Sequence, residues 1–151
     1  MPNKQRLVLD DFLPYRLSIV TNRASAAIAL HYSKRFGLSI PEWRVMAVLG
    51  ETPGLSARQV AERTEMDKVQ VSRAVQSLLA AKRLTRSADK DDGRVARLSL
   101  SERGLAIYRE VVPLALQLER EFLSVLSAKE CAALDATLAK LSLSLDRLRK
   151  A

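Results

Sequence analysis

Six polar side chains between residues 68 and 77 are of the types that can read a base pair: Lys68, Gln70, Ser72, Arg73, Gln76 and Ser77. Arginine can donate two hydrogen bonds to O6 and N7 of guanine, glutamine can pair with N6 and N7 of adenine, and serine suits either base or phosphate. A lysine at the start of such a set suits a phosphate contact, which positions a helix without specifying sequence. If a helix starts at Lys68, then Val71, Val75, Leu78 and Leu79 form its inward face and the polar six point outward or along its edges. A solvated face on any surface helix would look the same, so the set alone does not select DNA. A second chemistry-bearing group lies further on, in Asp89-Lys90-Asp91-Asp92-Gly93-Arg94 and Arg97. An arginine at a loop tip can enter a narrow minor groove. The three aspartates would repel phosphates if aimed at them, and are expected instead to order the turn and orient Arg94 and Arg97. A plain solvated loop is the alternative.

The elements around these residues favour the nucleic-acid reading. Ser56 to Arg63 forms a short helical segment, Thr64-Glu65-Met66 a turn, and Asp67 to Leu79 a second helix. That order is a helix-turn-helix, which lays its second helix in a major groove. Helix starts are marked by an N-cap residue with Glu or Gln three positions later, each side chain satisfying the other's backbone amide. Ser39 with Glu42, Ser56 with Gln59, Asp67 with Gln70, and Ser127 with Glu130 all fit. Upstream, a long helix is expected from about Asp11 to Phe36, with Pro14 in its first turn and Gly37 as a left-handed terminator. Another runs from Ile40 to Gly50. After Arg83 the apolar period drops to two: Ala96, Leu98 and Leu100 fall on one face, Arg97 and Ser99 on the other. Leu84 to Leu100 therefore reads as a hairpin turning at Asp91-Asp92-Gly93.

From Ser101 the chain is helical again. Val111, Ala115, Leu118, Phe122 and Val125 repeat at 4-3-4-3 spacing around Pro113, as do Leu134, Leu138, Leu141, Leu145 and Leu148 at the end, with Leu143 off the stripe. Such a repeat favours a seam between helices, either within one small bundle or between two chains. The terminal helices flank a module that has its own small core, which favours two chains. Burying a leucine contributes roughly 1.5–3 kcal/mol, and association costs an estimated ~4–15 kcal/mol. One stripe is therefore marginal, while both chain ends together suffice. A homodimer is expected, with Phe12, Ile19, Leu134, Leu138, Leu141, Leu145 and Leu148 in its interface.

The 151 residues carry a formal charge of +8, suiting a polyanionic partner. The excess does not single out the central segment: residues 1–49 hold 7 basic and 3 acidic groups, residues 50–100 hold 10 and 7, and residues 101–151 hold 8 and 7. No apolar run approaches the roughly 20 residues that span a bilayer, and no signal-peptide core is evident. The one cysteine, Cys131, forms neither an internal disulfide nor a cysteine-rich metal site and is expected to be a small buried residue. A cytoplasmic protein without cofactor or metal is expected. An enzyme is disfavoured, because the single histidine, His31, has no motif partner and no phosphate loop or nucleophile elbow occurs. A winged module used for protein contacts or sequence-neutral DNA packaging remains a rival.

Three stretches resemble the MarR family of bacterial transcription regulators, and the likeness extends over nearly the whole chain. Leu38 to Met46 is similar to the family's second-helix opening, and Asp67 to Leu79 to its recognition helix. Asp89 to Arg94, continuing through Leu98-Ser99-Leu100-Ser101-Glu102-Arg103-Gly104, is similar to its wing signature. Gly93 stands where the family often has a second arginine, and Ser101 replaces the usual threonine. The resemblance implies a mostly α fold with a small β-hairpin wing: a winged helix-turn-helix lobe at 37–104 and a dimerisation region at 1–36 and 105–151. It implies a homodimer on a pseudo-palindromic operator of double-stranded DNA, often a repressor released by a small anionic or aromatic effector. The family's pocket between dimerisation helices and winged lobe would here draw on Tyr15, Arg16, His31, Tyr32, Trp43 and Arg44. Peroxide-sensing relatives use a cysteine in the first helix, which this chain lacks.

Overall fold

Helix boundaries follow the caps. The computed structural model describes residues 6–151. A 3₁₀ turn at Leu9–Asp11 precedes α1 (Leu13–Phe36), α2 (Ile40–Glu51), α3 (Ala57–Thr64), α4 (Lys68–Ala80), strands β1 (Leu84–Ala88) and β2 (Ala96–Leu100), α5 (Glu102–Leu123) and α6 (Ala128–Lys150). The first helix starts two residues later than the sequence suggests, because Phe12 is extended (ψ 109°) and separates the short turn from α1. Gly37 ends α1 at φ 63°, where a side chain would be strained. Ser39, Ser56 and Ser127 each form a reciprocal capping box. The fourth start differs: Asp67 accepts the amides of Val69 and Gln70 on one carboxylate oxygen, and Gln70 does not return the bond. Leu126 and Leu123 close the turn before α6.

The described residues form two compact units, divided after Leu114. In the first, one apolar core gathers Leu38, Val45, Met46 and Leu49, Val60 and Ala61 of α3, and Val71, Ala74, Val75 and Leu78 of α4. Tyr32, Leu84, Leu98, Ile107 and Val111 complete it. Val111, read from its spacing as the first member of a terminal stripe, is thus interior to this unit. The hairpin pairs antiparallel, Leu84 opposite Leu100 and Arg86 opposite Leu98. Leu55 adds a bridge to Leu98, with Leu98 N–H donating to the Leu55 carbonyl and Gly54 N–H to the Leu98 carbonyl, both at 2.8 Å. The wing is thereby tied to the loop that precedes α3.

In the second unit, residues 115–151, no residue of α6 is buried, Leu143 is 61% exposed and Val125 83% exposed. Leu134, Leu138, Leu145 and Leu148 are exposed as well, and Leu141 is half-buried. Cys131 is also half-buried rather than interior.

Gly104 marks a close approach inside the first unit. Ser101 N–H donates to the Arg83 carbonyl, and Ser101 Oγ accepts from Gly104 N–H at 3.0 Å while donating to the Lys82 carbonyl at 2.7 Å. A Cβ on Gly104 would lie 2.0 Å from the Arg83 carbonyl oxygen. Helix propensity alone gives Gly→Ala a gain of about 1 kcal/mol. Here the sign is expected to reverse: Gly104→Ala should destabilise by about 1–3 kcal/mol, read as a lower urea midpoint at unchanged slope.

Candidate nucleic-acid interface

α4 is built to hold one face inward and offer the other. Its interior face carries Val71, Ala74, Val75 and Leu78, packed against α2 and α3. Ala74 joins the buried set foreseen from spacing, and Leu79 is half-buried. Lys68, Gln70, Ser72, Arg73, Gln76 and Ser77 are all exposed. Among the described residues no ion pair engages Lys68 or Arg73, so both charges are available to phosphate or base.

Ser77, exposed as the spacing predicts, also makes a contact that the sequence does not announce. Its hydroxyl donates to Glu42 Oε2 at 3.1 Å, while Glu42 Oε1 accepts from the Ser39 amide. One carboxylate thus closes the start of α2 and ties it to α4. Ser77 acts first as a tie between helices, a role that spacing within α4 cannot reveal because its partner lies 35 residues away. Between the two helices lies an open groove of about 540 Å³, walled by Pro41 and Glu42 on one side and by Val69, Gln70 and Arg73 on the other.

The wing tip is ordered by its aspartates, as the turn chemistry suggests. Asp89 Oδ1 accepts from the amide of Asp91 at 2.8 Å, and Asp92 Oδ1 accepts from the amide of Arg94 at 3.0 Å. Arg97 is committed to this frame: it pairs with Asp89 Oδ2 at 2.7 Å and donates to the Gly54 carbonyl at 3.0 Å. Its side chain remains about half exposed, so it braces the wing while presenting charge. Arg94 is exposed at the tip, and no ion pair among the described residues engages it.

Two residues absent from the sequence reading join the face. Arg86 is exposed and lines the crevice between wing and α4 with Ser72, Gln76 and Ala96. Its signal was the period-2 rule, which puts it on the same strand face as Leu84 and hence toward α4. Val69 is 56% exposed among polar neighbours. Helical spacing leaves it off the inward face, and its apolar type keeps it out of the hydrogen-bonding set.

The Asp89 carboxyl is held below the usual aspartate range, chiefly by the Asp91 amide; partial desolvation opposes this, and the Asp92 amide and Arg97 reinforce it. A depressed folded pKa stabilises the ordered wing above the ordinary aspartate value and ceases to do so as pH falls through the lowered one. Wing order is therefore expected to persist through mildly acidic pH and to be lost in strong acid. The NMR signals of the Arg97 side chain and the Asp91 amide, followed through an acid titration, check this.

A second cavity, of about 130 Å³, lies between α1 and α2 and is lined by Ser25, Ile28, Tyr32, Ile40, Trp43 and Arg44. Arg44 Nη2 donates to Ser25 Oγ at 3.2 Å, and the Tyr32 and Trp43 rings are 5.6 Å apart. Burial pushes the Tyr32 hydroxyl pKa up, and the nearby Arg44 charge offsets part of that. Three of the six residues expected at an effector pocket thus meet. Tyr15, Arg16 and His31 do not line this cavity: Tyr15 and Arg16 are exposed on earlier turns of α1, and His31, next to Tyr32 in the chain, is exposed outside it. Their types suggested a ligand, but a 24-residue helix spreads such residues over several faces.

Two capped helices crossing over one core, the second with a polar face engaged only at Ser77 among the described residues and a two-stranded wing beside it, define a winged helix-turn-helix of the DNA-binding class. Residues 36–95 match the sequence model of the MarR family. A "probable transcriptional regulator" from Pseudomonas aeruginosa is 33% identical, with 89% of this chain and 99% of that one aligned and a TM-score of 0.74. The MarR family transcriptional regulator SPO1453 from Silicibacter pomeroyi is 29% identical over 93% of this chain and 99% of its own, with a TM-score of 0.79. BpsR of Bordetella bronchiseptica, whose DNA binding is regulated by 6-hydroxynicotinic acid, shares the fold at 24% identity, 91% and 97% coverage and a TM-score of 0.79. No protein of curated function matches the chain in sequence. The chain belongs to the MarR family of DNA-binding transcription regulators. None of the described helices is long and apolar enough to cross a membrane.

Proposed function

We propose that two copies of the chain bind a pseudo-palindromic operator and repress transcription there, with release by a small aromatic or anionic effector. The observation that carries this reading is the outward face of α4. It is exposed, rich in base-reading side chains, and fixed from behind by four buried residues and the Glu42–Ser77 tie. Gln70, Ser72, Arg73 and Gln76 are assigned to bases, Lys68 to a phosphate, and Arg94 with Arg86 to the flanking groove. Arg97 is assigned to bracing the wing and to the backbone.

Dimerisation is supported by apolar surface that a single chain leaves in water. Leu7, Leu9, Phe12, Leu13 and Val20 near the start of α1 are exposed, as are Leu134, Leu138, Leu145 and Leu148 in α6. Ile19 is half-buried. Exposed apolar residues recurring along a segment, as they do in each of these two, suit an association surface. The effector site is assigned to the Tyr32–Trp43–Arg44 cavity. Aromatic walls and a guanidinium suit a planar carboxylate, the chemistry that the BpsR ligand also has.

Selection of preferred duplexes from random DNA tests the reading, repeated with a panel of aromatic acids and their thioesters. Two-fold sites with half-sites about 10 base pairs apart are expected, with a preference over random DNA of at least about a thousandfold. A steep salt slope without preference would instead identify an architectural DNA-packaging protein. An operator complex indifferent to every acid in the panel would leave a regulator that works without such an effector. Where an acid does release DNA, Arg44→Ala should abolish its effect and leave operator affinity intact.

A further inference from the structure

We propose that Val69 reads the 5-methyl group of a thymine in each half-site, making it a specificity-determining residue. The inference rests on the reading of α4 as the base-facing helix.

Val69 is the second residue of α4, with 56% of its surface exposed, and it lies roughly 200° around the helix from the buried Val71. A β-branched residue is a poorer helix former than alanine or glutamine, and burial in this chain offsets little of that. Single exposed apolar residues are ordinary on surfaces; the place of this one is not. The N-terminal residues of a recognition helix are those that meet base edges, and Val69 lies there on the wall it shares with Gln70 and Arg73. Arg73 is one turn along the same stripe, at i+4.

The partner of an apolar side chain among hydrogen-bonding ones must be apolar, lie in the major groove, and sit beside a base edge. The major-groove edge of thymine supplies such a group, its 5-methyl. The surroundings carry the charge that brings a duplex there: Lys68 precedes Val69 and Arg73 follows it, and neither is neutralised by an ion pair among the described residues. Arginine and glutamine read hydrogen-bonding edges, and the valine adds a discrimination they cannot make, between thymine and an otherwise identical pyrimidine lacking the methyl.

The test uses the full chain and its own selected duplex. Each thymine of the half-site is replaced in turn, on both halves together, by deoxyuridine, which removes only the methyl. Binding is measured for the wild type and for Val69→Ala, a change at an exposed helix position that leaves folding intact. One thymine per half-site is expected at which deoxyuridine weakens the wild type about fourfold per methyl, ~15-fold for the pair, by the free energy of one buried carbon. Val69→Ala, whose single methyl stops short of the position the valine methyls reach, should lose most of this dependence and discriminate deoxyuridine from thymine far less than the wild type. If operator selection succeeds and no thymine shows this dependence on Val69, the inference is overturned while the regulator reading stands. If no duplex is selected at all, the base-facing assignment of α4 fails and the inference falls with it.

Discussion

Arg73→Ala is expected to weaken operator binding by between about 30-fold and 10⁴-fold, and to erase the preference at one base position of each half-site. The range follows from ~1–3 kcal/mol for each bidentate arginine–guanine pair, taken twice because a two-fold operator meets two copies. Competition binding against operators varied at each position reads both effects. The same change should leave thermal stability within about 0.5 kcal/mol, because Arg73 is exposed and makes no hydrogen bond or ion pair among the described residues. Lys68→Ala provides the contrast. A phosphate contact carries no sequence information, so its loss should weaken all duplexes alike and flatten the salt dependence by about one counterion per copy. If Arg73→Ala also weakened every sequence equally, its assignment to a base edge would be wrong.

Leu78→Ala should have the largest effect on the folded state. Leu78 is completely buried at the centre of the core, on the face of α4 opposite the polar set. Truncation leaves a cavity ringed by α2, α3 and the wing, at a cost of about 2–5 kcal/mol. Domains of this kind have only about 5–15 kcal/mol in total. The melting temperature should fall by roughly 4–20 °C, and DNA affinity should fall with it as α4 loses its seat. Thermal unfolding at fixed protein concentration measures the first effect. Recovery of DNA binding on cooling would show that the recognition face itself is unharmed.

These two variants separate what the sequence makes legible from what it hides. Period and capping locate α4 to within one residue at each end, and the same periodicity assigns Arg73 outward and Leu78 inward. Those are local facts, set by rules that act over a few residues. The tie from Ser77 to Glu42 and the brace from Arg97 to Gly54 join residues 35 and 43 apart. No local rule reports them. The pocket reading divides along the same line. Tyr32, Trp43 and Arg44 converge because α1 and α2 pack across each other there, whereas Tyr15 and Arg16 lie turns away along α1 and His31, next to Tyr32, is exposed outside the cavity. Val69 was missed for a different reason: helical period leaves it off the inward face, and a search for hydrogen-bonding types does not collect an exposed valine. Arg86 is legible in the strand alternation, on the same face as Leu84, although the hairpin tip carries the more conspicuous charges.

The unreturned hydrogen bond at the start of α4 bears directly on recognition. At α2, α3 and α6 the Glu or Gln three residues into the helix is folded back on the N-cap amide and is thereby occupied. At α4 a carboxylate accepts both early amides by itself, so helix initiation makes no demand on the Gln70 side chain. Its amide keeps both a donor and an acceptor, the pair that adenine's major-groove edge requires. Installing serine at position 67 would invite the reciprocal arrangement and silence that reader without touching it, a form of misreading written entirely in the helix's own grammar.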